Sequence, residues 1–307
     1  MSKIKKIPVP MAGLILGLAA LGNLWQSHSP TLRYILGAIA AVLFVLYTIR
    51  IFADLDSFKK ELDHPLAASV FGCYSMALML LAGYLKAFAP GLAAVLWYVA
   101  VILHVLIMIY FTVKFASKKQ IKQVFASWFI PYVGIAVAGV TAPAFEALLI
   151  GQISFYFGLV TFLILLPIVL KRVHKVGEIP PPAVPTTAIT CAPCSLVLAA
   201  YMNSFADKTP WLVYTLLIVS QILYFYVIVQ LPKFLNRPFA PSFSSFTFPL
   251  AISGISLKLT NGYLTKAGQG IAFLPYLVLI EEILALVLIL YVLVRYLYFI
   301  FGNKQTA

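Results

Sequence analysis

The sequence predicts an all-α integral membrane protein, and composition and pattern both indicate this class. Of its 307 residues, 63% are hydrophobic and only 10% are charged, whereas soluble domains carry about 25% charged residues. The apolar stretches are continuous and long enough to cross a bilayer as helices, and they lack the alternation of a β-barrel. No long polar stretch divides the chain, so residues 1–307 are predicted to form a single transmembrane domain.

Ten mostly apolar stretches, 17 to 29 residues long, qualify as transmembrane helices, which need about 17–25 apolar residues. The first follows a basic N-terminus and resembles a signal peptide, but Pro8 and Pro10 stand where its apolar run begins, and we therefore interpret it as a membrane span. The connections are short and leave no room for a soluble domain. The predicted spans cover residues 10–26, 33–53, 65–85, 91–113, 128–146, 150–170, 187–205, 210–231, 243–261 and 271–299.

Lysine and arginine are distributed unequally between the two sides of these ten spans. Short cytoplasmic loops carry an excess of basic residues, so the richer side, together with both termini, is predicted to be cytoplasmic. The net charge of +13 is explained by this bias and by contact with anionic lipid, without nucleic acid. The richer side has Lys3, Lys5, Lys6, Arg50, Lys59, Lys60, Lys114, Lys118, Lys119, Lys122, Lys171, Arg172, Lys175, Lys233, Arg237, Arg295 and Lys304; the other has Arg33, Lys86, Lys208, Lys258 and Lys266.

A proline recurs near the start of every odd-numbered span, at intervals of 55–66 residues: Pro10, Pro65, Pro131, Pro193 and Pro249. One explanation is that proline suits the first turn of a helix, where its missing N–H costs nothing. Inside a helix, however, proline removes a hydrogen bond and bends the axis. One kink in each of five helical hairpins predicts that the odd helices surround a common axis and that the even helices form an outer ring.

The odd spans are also richer than the even spans in small and hydroxyl residues. Such residues permit close packing of helices, and they also leave space along an axis. The residues concerned are Gly13, Gly17, Gly22, Ser69, Gly72, Ser75, Gly134, Gly139, Thr186, Thr187, Thr190, Ser195, Ser253, Gly254 and Ser256.

Four segments, in order along the chain, carry a resemblance to a known family. They read PVPMAGLILGLAALGN at 8–23, DHP at 63–65, SWFIPYVGIAVAG at 127–139 and SFTFPLAIS at 245–253. With ten spans, they resemble the tellurite-resistance/dicarboxylate transporter family. This family includes the bacterial tellurite-resistance membrane protein, fungal malate permeases and sulfite exporters, and the plant guard-cell slow anion channel.

The resemblance implies ten helices in five hairpins, a central pore lined by the odd helices, and a homotrimer with one pore in each protomer. It also implies that a phenylalanine of the ninth span blocks the pore. In the F-x-F-P pattern of this sequence that residue is Phe248, and the glycine beside it is Gly13. Because the chain lacks a long cytoplasmic tail, the kinase control of the plant relatives is not expected.

Several polar residues within or near the spans have two interpretations. Lys258 follows Phe248 by about two and a half turns, and it either attracts anions near the outer mouth or extends toward the interface. Glu281 and Glu282, like Glu146, lie at or near outer helix ends, where they either relay protons or serve as interfacial or packing partners. His104, in an even span, favours an interhelical hydrogen bond over a proton relay.

No catalytic constellation, metal site or cofactor is predicted. Cys191 and Cys194 have C-x-x-C spacing, but neither a second pair nor a nearby histidine accompanies them, and buried small residues are the favoured interpretation. The sequence contains no glycine-rich phosphate loop and no nucleophile–base pair, so an enzyme is not expected.

The favoured hypothesis is a gated channel for small monovalent anions such as chloride or nitrate, multi-pass in the inner (plasma) membrane. The expected partners are these inorganic anions or carboxylates, lipid, and two further copies of the chain. The first alternative is a secondary transporter of C4-dicarboxylates such as malate, or of tellurite- or sulfite-type oxyanions, with or without proton coupling. A membrane scaffold or receptor that transports nothing is the second alternative.

Overall fold

The structure, a computed structural model, describes residues 4–302, so Lys3 and Lys304 of the predicted cytoplasmic side lie outside the described residues. Within this range the regular elements are all helices, as predicted. The α-helices are α1 Met11–Trp25, α2 Pro30–Ala53, α3 Leu55–Glu61, α4 Pro65–Val70, α5 Gly72–Leu85, α6 Pro90–Lys114, α7 Phe129–Val133, α8 Ala136–Thr141, α9 Leu148–Lys171, α10 Ala192–Ser204, α11 Pro210–Leu235, α12 Phe248–Lys266 and α13 Leu274–Phe301.

Short 3₁₀ segments lengthen three of the predicted odd spans at their N-terminal ends. Pro181–Cys191 leads into α10, Pro241–Phe246 leads into α12, and Ala126–Trp128 leads into α7. Pro181 and Pro241 are the first residues of their segments, where a missing N–H is tolerated. Each of these three spans therefore begins with narrow 3₁₀ turns and continues as a wider α-helix.

Five helices form a closed ring. Helix α1 contacts α5, α5 contacts α8, α8 contacts α10, α10 contacts α12, and α12 contacts α1. Each of these inner helices also packs against the helix that follows it in the chain, namely α2, α6, α9, α11 or α13. In these contacts the inner helices belong to odd-numbered predicted spans, and the helices packed against them belong to even-numbered predicted spans.

Burial separates the inner from the outer helices. In the most apolar stretch of Pro181–Ser204, 94% of the residues are buried, against 28% in Pro90–Lys118 and 33% in Leu148–Val176. Only Asn23 and Trp25 of α1 are not fully buried. The outer helices expose large apolar side chains, which agrees with faces that contact lipid or another protein.

The five repeated prolines do not share the predicted role of a kink. Pro10 directly precedes α1, and Pro65 is the first residue of α4, so neither interrupts a helix. Pro193 and Pro249 are each the second residue of an α-helix, at the change from 3₁₀ to α geometry. Only Pro131 lies inside a bent span, in the helix that ends at Val133; the two helical parts there differ in direction by 53°. Proline at a helix start causes no bend because no intrahelical bond is lost.

All ten predicted spans are helical, but fewer satisfy the length and apolarity expected of a membrane span. Among residues 4–302, seven helices do so, or eight if the bent pair Ala126–Val133 and Ala136–Phe145 counts as one span. The first predicted span contains only the 15 residues of α1, and α12 carries polar side chains such as Ser256, Thr260 and Lys258. Both are inner helices and face protein more than lipid, which lowers their need for apolar side chains. The count of ten membrane spans stays a prediction.

Candidate functional site

Two cavities follow the axis of the ring. The first, which we name the apolar cavity, has about 500 Å³ of empty space. Its wall is formed by residues at or near the N-terminal ends of the five inner spans, and these are mostly apolar. They are Gly13, Val70, Cys73, Met76, Phe129, Ile130, Val133, Gly134, Ile189, Ala192, Pro193, Leu196, Ser244, Ser245, Phe248 and Pro249.

The second cavity, which we name the basic cavity, has about 1160 Å³ of empty space. The C-terminal parts of the same inner spans line it, so the inner spans run in one direction along the axis. Two cations and several neutral polar groups belong to its wall, and no described carboxylate does. Its residues are Ala20, Asn23, Leu24, Gln26, Ser27, Arg33, Leu80, Gly83, Val137, Val140, Thr141, Ala144, Asn203, Phe248, Ile252, Ile255, Lys258 and Leu259.

Phe248 is the one described residue that belongs to both walls. Its side chain is 6% exposed. No aromatic ring of the described chain stacks on it, in contrast with Phe243 and Phe246 in the preceding segment, whose ring centroids lie 5.1 Å apart. The predicted gate residue therefore lies where an apolar and a basic space meet.

Contacts with α1 hold the backbone beside Phe248. Thr247 separates the 3₁₀ segment from α12 with a non-helical conformation, and its hydroxyl donates to the carbonyl of Gly13 at 2.8 Å or of Ser244 at 2.6 Å. A Cβ at Gly17 would stand 2.4 Å from Thr247 Cβ and 2.9 Å from the Phe248 nitrogen. The close approach of α1 to this junction thus requires a glycine at position 17.

Gly13, the glycine expected beside the gate, shares the apolar cavity with Phe248. The nearest neighbour of a Cβ placed there would be Ser244, at 3.2 Å. Gly17, one helical turn further along the same helix, was counted among the small residues of the odd spans but was not predicted to lie beside the gate. The G-x-x-x-G spacing was the feature that could have identified both positions.

Lys258 lines the basic cavity but is paired. Its Nζ donates to Oε1 of Glu282 at 2.5 Å and to the carbonyl of Leu24 at 3.0 Å. The other carboxylate oxygen, Oε2, lies 2.9 Å from Nε2 of His28. Of the two interpretations of Glu282, the structure favours a packing partner, because this carboxylate stabilises Lys258 across α12 and α13.

Glu281 is a different case, since no described residue satisfies its carboxyl group. It is fully buried in α13, and neither oxygen has a hydrogen-bond partner. Gln221 and Tyr224 of α11 lie beside it, and their side-chain polar atoms are also buried without partners. A Cβ at Gly254 would come within 3.8 Å of Glu281 Cβ, so this polar group lies directly behind α12.

His104, Cys191 and Cys194 are all buried inside the protein. His104 is fully buried, and its Nδ1 lies 2.8 Å from the hydroxyl of Ser75, which is the predicted interhelical hydrogen bond. Cys191 and Cys194 are buried free thiols. Residues 4–302 contain no group of three or more His, Cys, Asp or Glu side chains that could hold a metal ion.

Comparison with known proteins gives one family. The model of the SLAC1 family, described as voltage-dependent anion channel, matches residues 6–297. The chain belongs to this family. The match spans nearly the whole chain, including both cavities and Phe248, and it agrees with the resemblance noted in the sequence. Among individually curated proteins, none matches the chain significantly.

Membership indicates an anion channel or anion transporter, multi-pass in a membrane, with anions as its substrates. The two cavities fit this class. They follow one axis through a ring of helices, and the described residues that line the larger one include two cations and no carboxylate. Anions are attracted to such a surface because a cationic lining raises their local concentration.

Proposed function

We propose that this protein is a gated channel for small monovalent anions such as chloride and nitrate, with its pore along the axis of the five inner helices. The observation that carries the proposal is the position of Phe248 between two cavities that no other described side chain shares. A phenylalanine ring across a narrow apolar passage stops ions by steric block and by excluding water. Phe248 is therefore the gate, and an open state requires its ring to move.

The remaining parts of the pore follow the same proposal. Gly13 and Gly17 allow the gate segment to approach α1, while Pro193 and Pro249 start the α-helical parts of two pore helices. The functional unit is a single transmembrane domain of ten spans in five hairpins, with both termini in the cytoplasm. It assembles as a homotrimer in the inner (plasma) membrane, each protomer carrying its own pore.

One observation favours a second candidate, a proton-coupled carrier of C4-dicarboxylates or of tellurite- or sulfite-type oxyanions. Glu281 is a buried carboxyl group without a partner, directly behind the helix that carries Phe248. Intramembrane carboxyl groups of this kind act as proton relays in transporters. No carboxylate of the described residues lines either cavity, however, which favours the channel.

Removing the ring of Phe248 tests the channel. In planar bilayers or liposomes, Phe248→Ala is expected to raise chloride conductance at least about tenfold, and Phe248→Leu by less, because a smaller side chain leaves a wider and wetter passage. Phe246→Leu is the matched control, because it changes a phenylalanine two residues earlier that lines neither cavity.

The outcomes separate the two candidates. Currents through Phe248→Ala that reverse at the anion Nernst potential, without dependence on a proton gradient, support the channel. Saturable malate or sulfite uptake that requires a proton gradient supports the carrier. An unchanged conductance in Phe248→Ala, with the protein present in the bilayer at wild-type amounts, would rule out the gate.

A further inference from the structure

The two cations of the basic cavity differ in what already binds them. The Nζ of Lys258 is committed to Glu282 and to a backbone carbonyl. Arg33 has no carboxylate within salt-bridge distance among the described residues. Because Lys258 is neutralised by its partner, Arg33 supplies the uncompensated positive charge of this cavity.

Neighbouring residues hold the Arg33 guanidinium in one orientation. Its Nε donates to Oδ1 of Asn23 at 3.1 Å. The guanidinium carbon lies 4.5 Å from the centroid of the Tyr84 ring, and the Tyr84 hydroxyl in turn donates to the carbonyl of Ala19 at 2.7 Å. Stacking on an aromatic face and a hydrogen bond at Nε together fix the plane of the group.

The backbone of α2 also contributes to this placement. A Cβ at Gly22 would stand 2.9 Å from the carbonyl oxygen of Arg33. The end of α1 and the start of α2 therefore approach closely at this point. This approach places Arg33 in the wall of the basic cavity, although Arg33 belongs to an outer helix.

The remaining donors of Arg33 are free to bind a ligand. A guanidinium has five N–H donors, and only the one at Nε is committed to a described residue. No described residue accepts a hydrogen bond from either Nη atom, and neither is among the buried polar atoms that lack a partner, so both are accessible donors of a side chain that lines the cavity. Two parallel N–H donors match the two oxygens of a planar oxyanion better than they match a spherical ion.

We propose that Arg33 is the anion-binding residue of the basic cavity and that its ligand is a small planar oxyanion, nitrate or a carboxylate, in preference to chloride. Asn23 and Tyr84 are positioning residues for its guanidinium. This inference rests on the proposed function, because it assigns the site that receives the anion before it reaches Phe248.

Anion binding to the purified protein tests this assignment independently of transport. The probes are sodium nitrate, sodium acetate and sodium chloride at equal ionic strength, with the shift of the thermal unfolding midpoint as the readout. The wild type is expected to bind nitrate or acetate saturably and more tightly than chloride. Arg33→Gln is expected to weaken oxyanion binding about tenfold, the loss typical of a hydrogen bond to a charged group.

Two variants separate charge from geometry. Arg33→Lys keeps the charge but loses the planar fork, so its preference for oxyanions over chloride is expected to disappear while chloride binding persists. Lys266→Gln removes an exposed cation from the C-terminal end of α12 outside the cavity wall, and it is expected to bind like the wild type. Nitrate-specific and acetate-specific shifts distinguish an inorganic ligand from a carboxylate.

The proposal is overturned if the wild type shows no saturable oxyanion binding, if Arg33→Gln binds nitrate and acetate like the wild type, or if Arg33→Lys keeps the oxyanion preference. Failure of the Arg33 proposal is distinguishable from failure of the channel proposal. If no current flows through Phe248→Ala, the proposed function is ruled out. If current flows through Phe248→Ala but Arg33→Gln binds oxyanions like the wild type, only the role of Arg33 is ruled out.

Discussion

The apolar and basic cavities are walled by the same five inner spans, yet they differ in size and chemistry. The N-terminal parts border about 500 Å³ of empty space, open solvent included, among apolar side chains such as Val133 and Leu196. The C-terminal parts border about 1160 Å³, counted in the same way, and Arg33, Lys258 and Asn203 belong to that wall. An ion is stabilised by water and by polar groups, so the basic cavity can hold a hydrated anion and the apolar cavity opposes its passage.

This difference locates the barrier. Phe248 stands at the boundary, and the apolar wall continues beyond it toward the N-terminal ends of the inner spans. In the proposed mechanism, opening of the gate requires movement of the Phe248 ring and hydration of the apolar space behind it. Because Lys258 is paired with Glu282, the two cations of the larger cavity do not contribute equally to its positive charge.

The largest expected effect on stability concerns the paired cation. Glu282→Gln removes the carboxylate that accepts from Lys258 and is expected to cost about 3 kcal/mol of unfolding free energy, because it leaves a partly buried charge without its partner. Chemical unfolding of both proteins in detergent micelles measures this difference in unfolding free energy. Glu146→Gln, at an exposed carboxylate without an ion pair among the described residues, is the control, with a change of at most about 0.5 kcal/mol. A decrease in unfolding free energy below about 1 kcal/mol in Glu282→Gln would contradict the pairing. Lys258 would then count as a free cation of the cavity.

A smaller effect is expected where α1 meets the boundary. Gly17→Ala places a Cβ against Thr247 and the Phe248 nitrogen and is expected to cost about 2 kcal/mol through overpacking. The gate backbone should shift as well, so the resting conductance should change. Gly13→Ala, whose Cβ would meet Ser244 at 3.2 Å, is the matched comparison and should be milder on both measures. Equal effects at the two glycines would mean that the boundary does not depend on close approach at position 17.

The sequence predicted much of the architecture because the relevant information is local. Apolar length located all ten helical segments, and the prolines together with small residues such as Gly17 and Ser253 indicated which helices lie inside. All five prolines were predicted to kink their helices, but Pro10 and Pro65 interrupt no helix. Pro193 and Pro249 lie at the change from 3₁₀ to α geometry, and only Pro131 lies in a bent span. A sequence stretch does not reveal whether a helix begins before or at its proline.

The pairing of charges could not be predicted, because it joins residues that are distant in the chain. Lys258 and Glu282 are 24 residues apart, and only the packing of α12 on α13 brings them together. Arg33 looked like one loop cation among many, since nothing near it in sequence shows that Tyr84 will lie under its guanidinium. Glu281 was placed at or near the outer end of its helix, and the lack of partners for its carboxyl group became evident only from the packing of neighbouring helices.

The central claim, that Phe248 separates the two cavities, is tested most directly by thiol accessibility. Cys73 is a native reporter in the wall of the apolar cavity, and Ile252→Cys supplies a matched reporter in the wall of the basic cavity. A membrane-impermeant anionic thiosulfonate, added only from the side of the basic cavity, is expected to label position 252 in the otherwise wild-type protein and to leave Cys73 unmodified. In Phe248→Ala, Cys73 is expected to become labelled. Labelling of Cys73 at equal rates with and without the Phe248 ring would contradict the account.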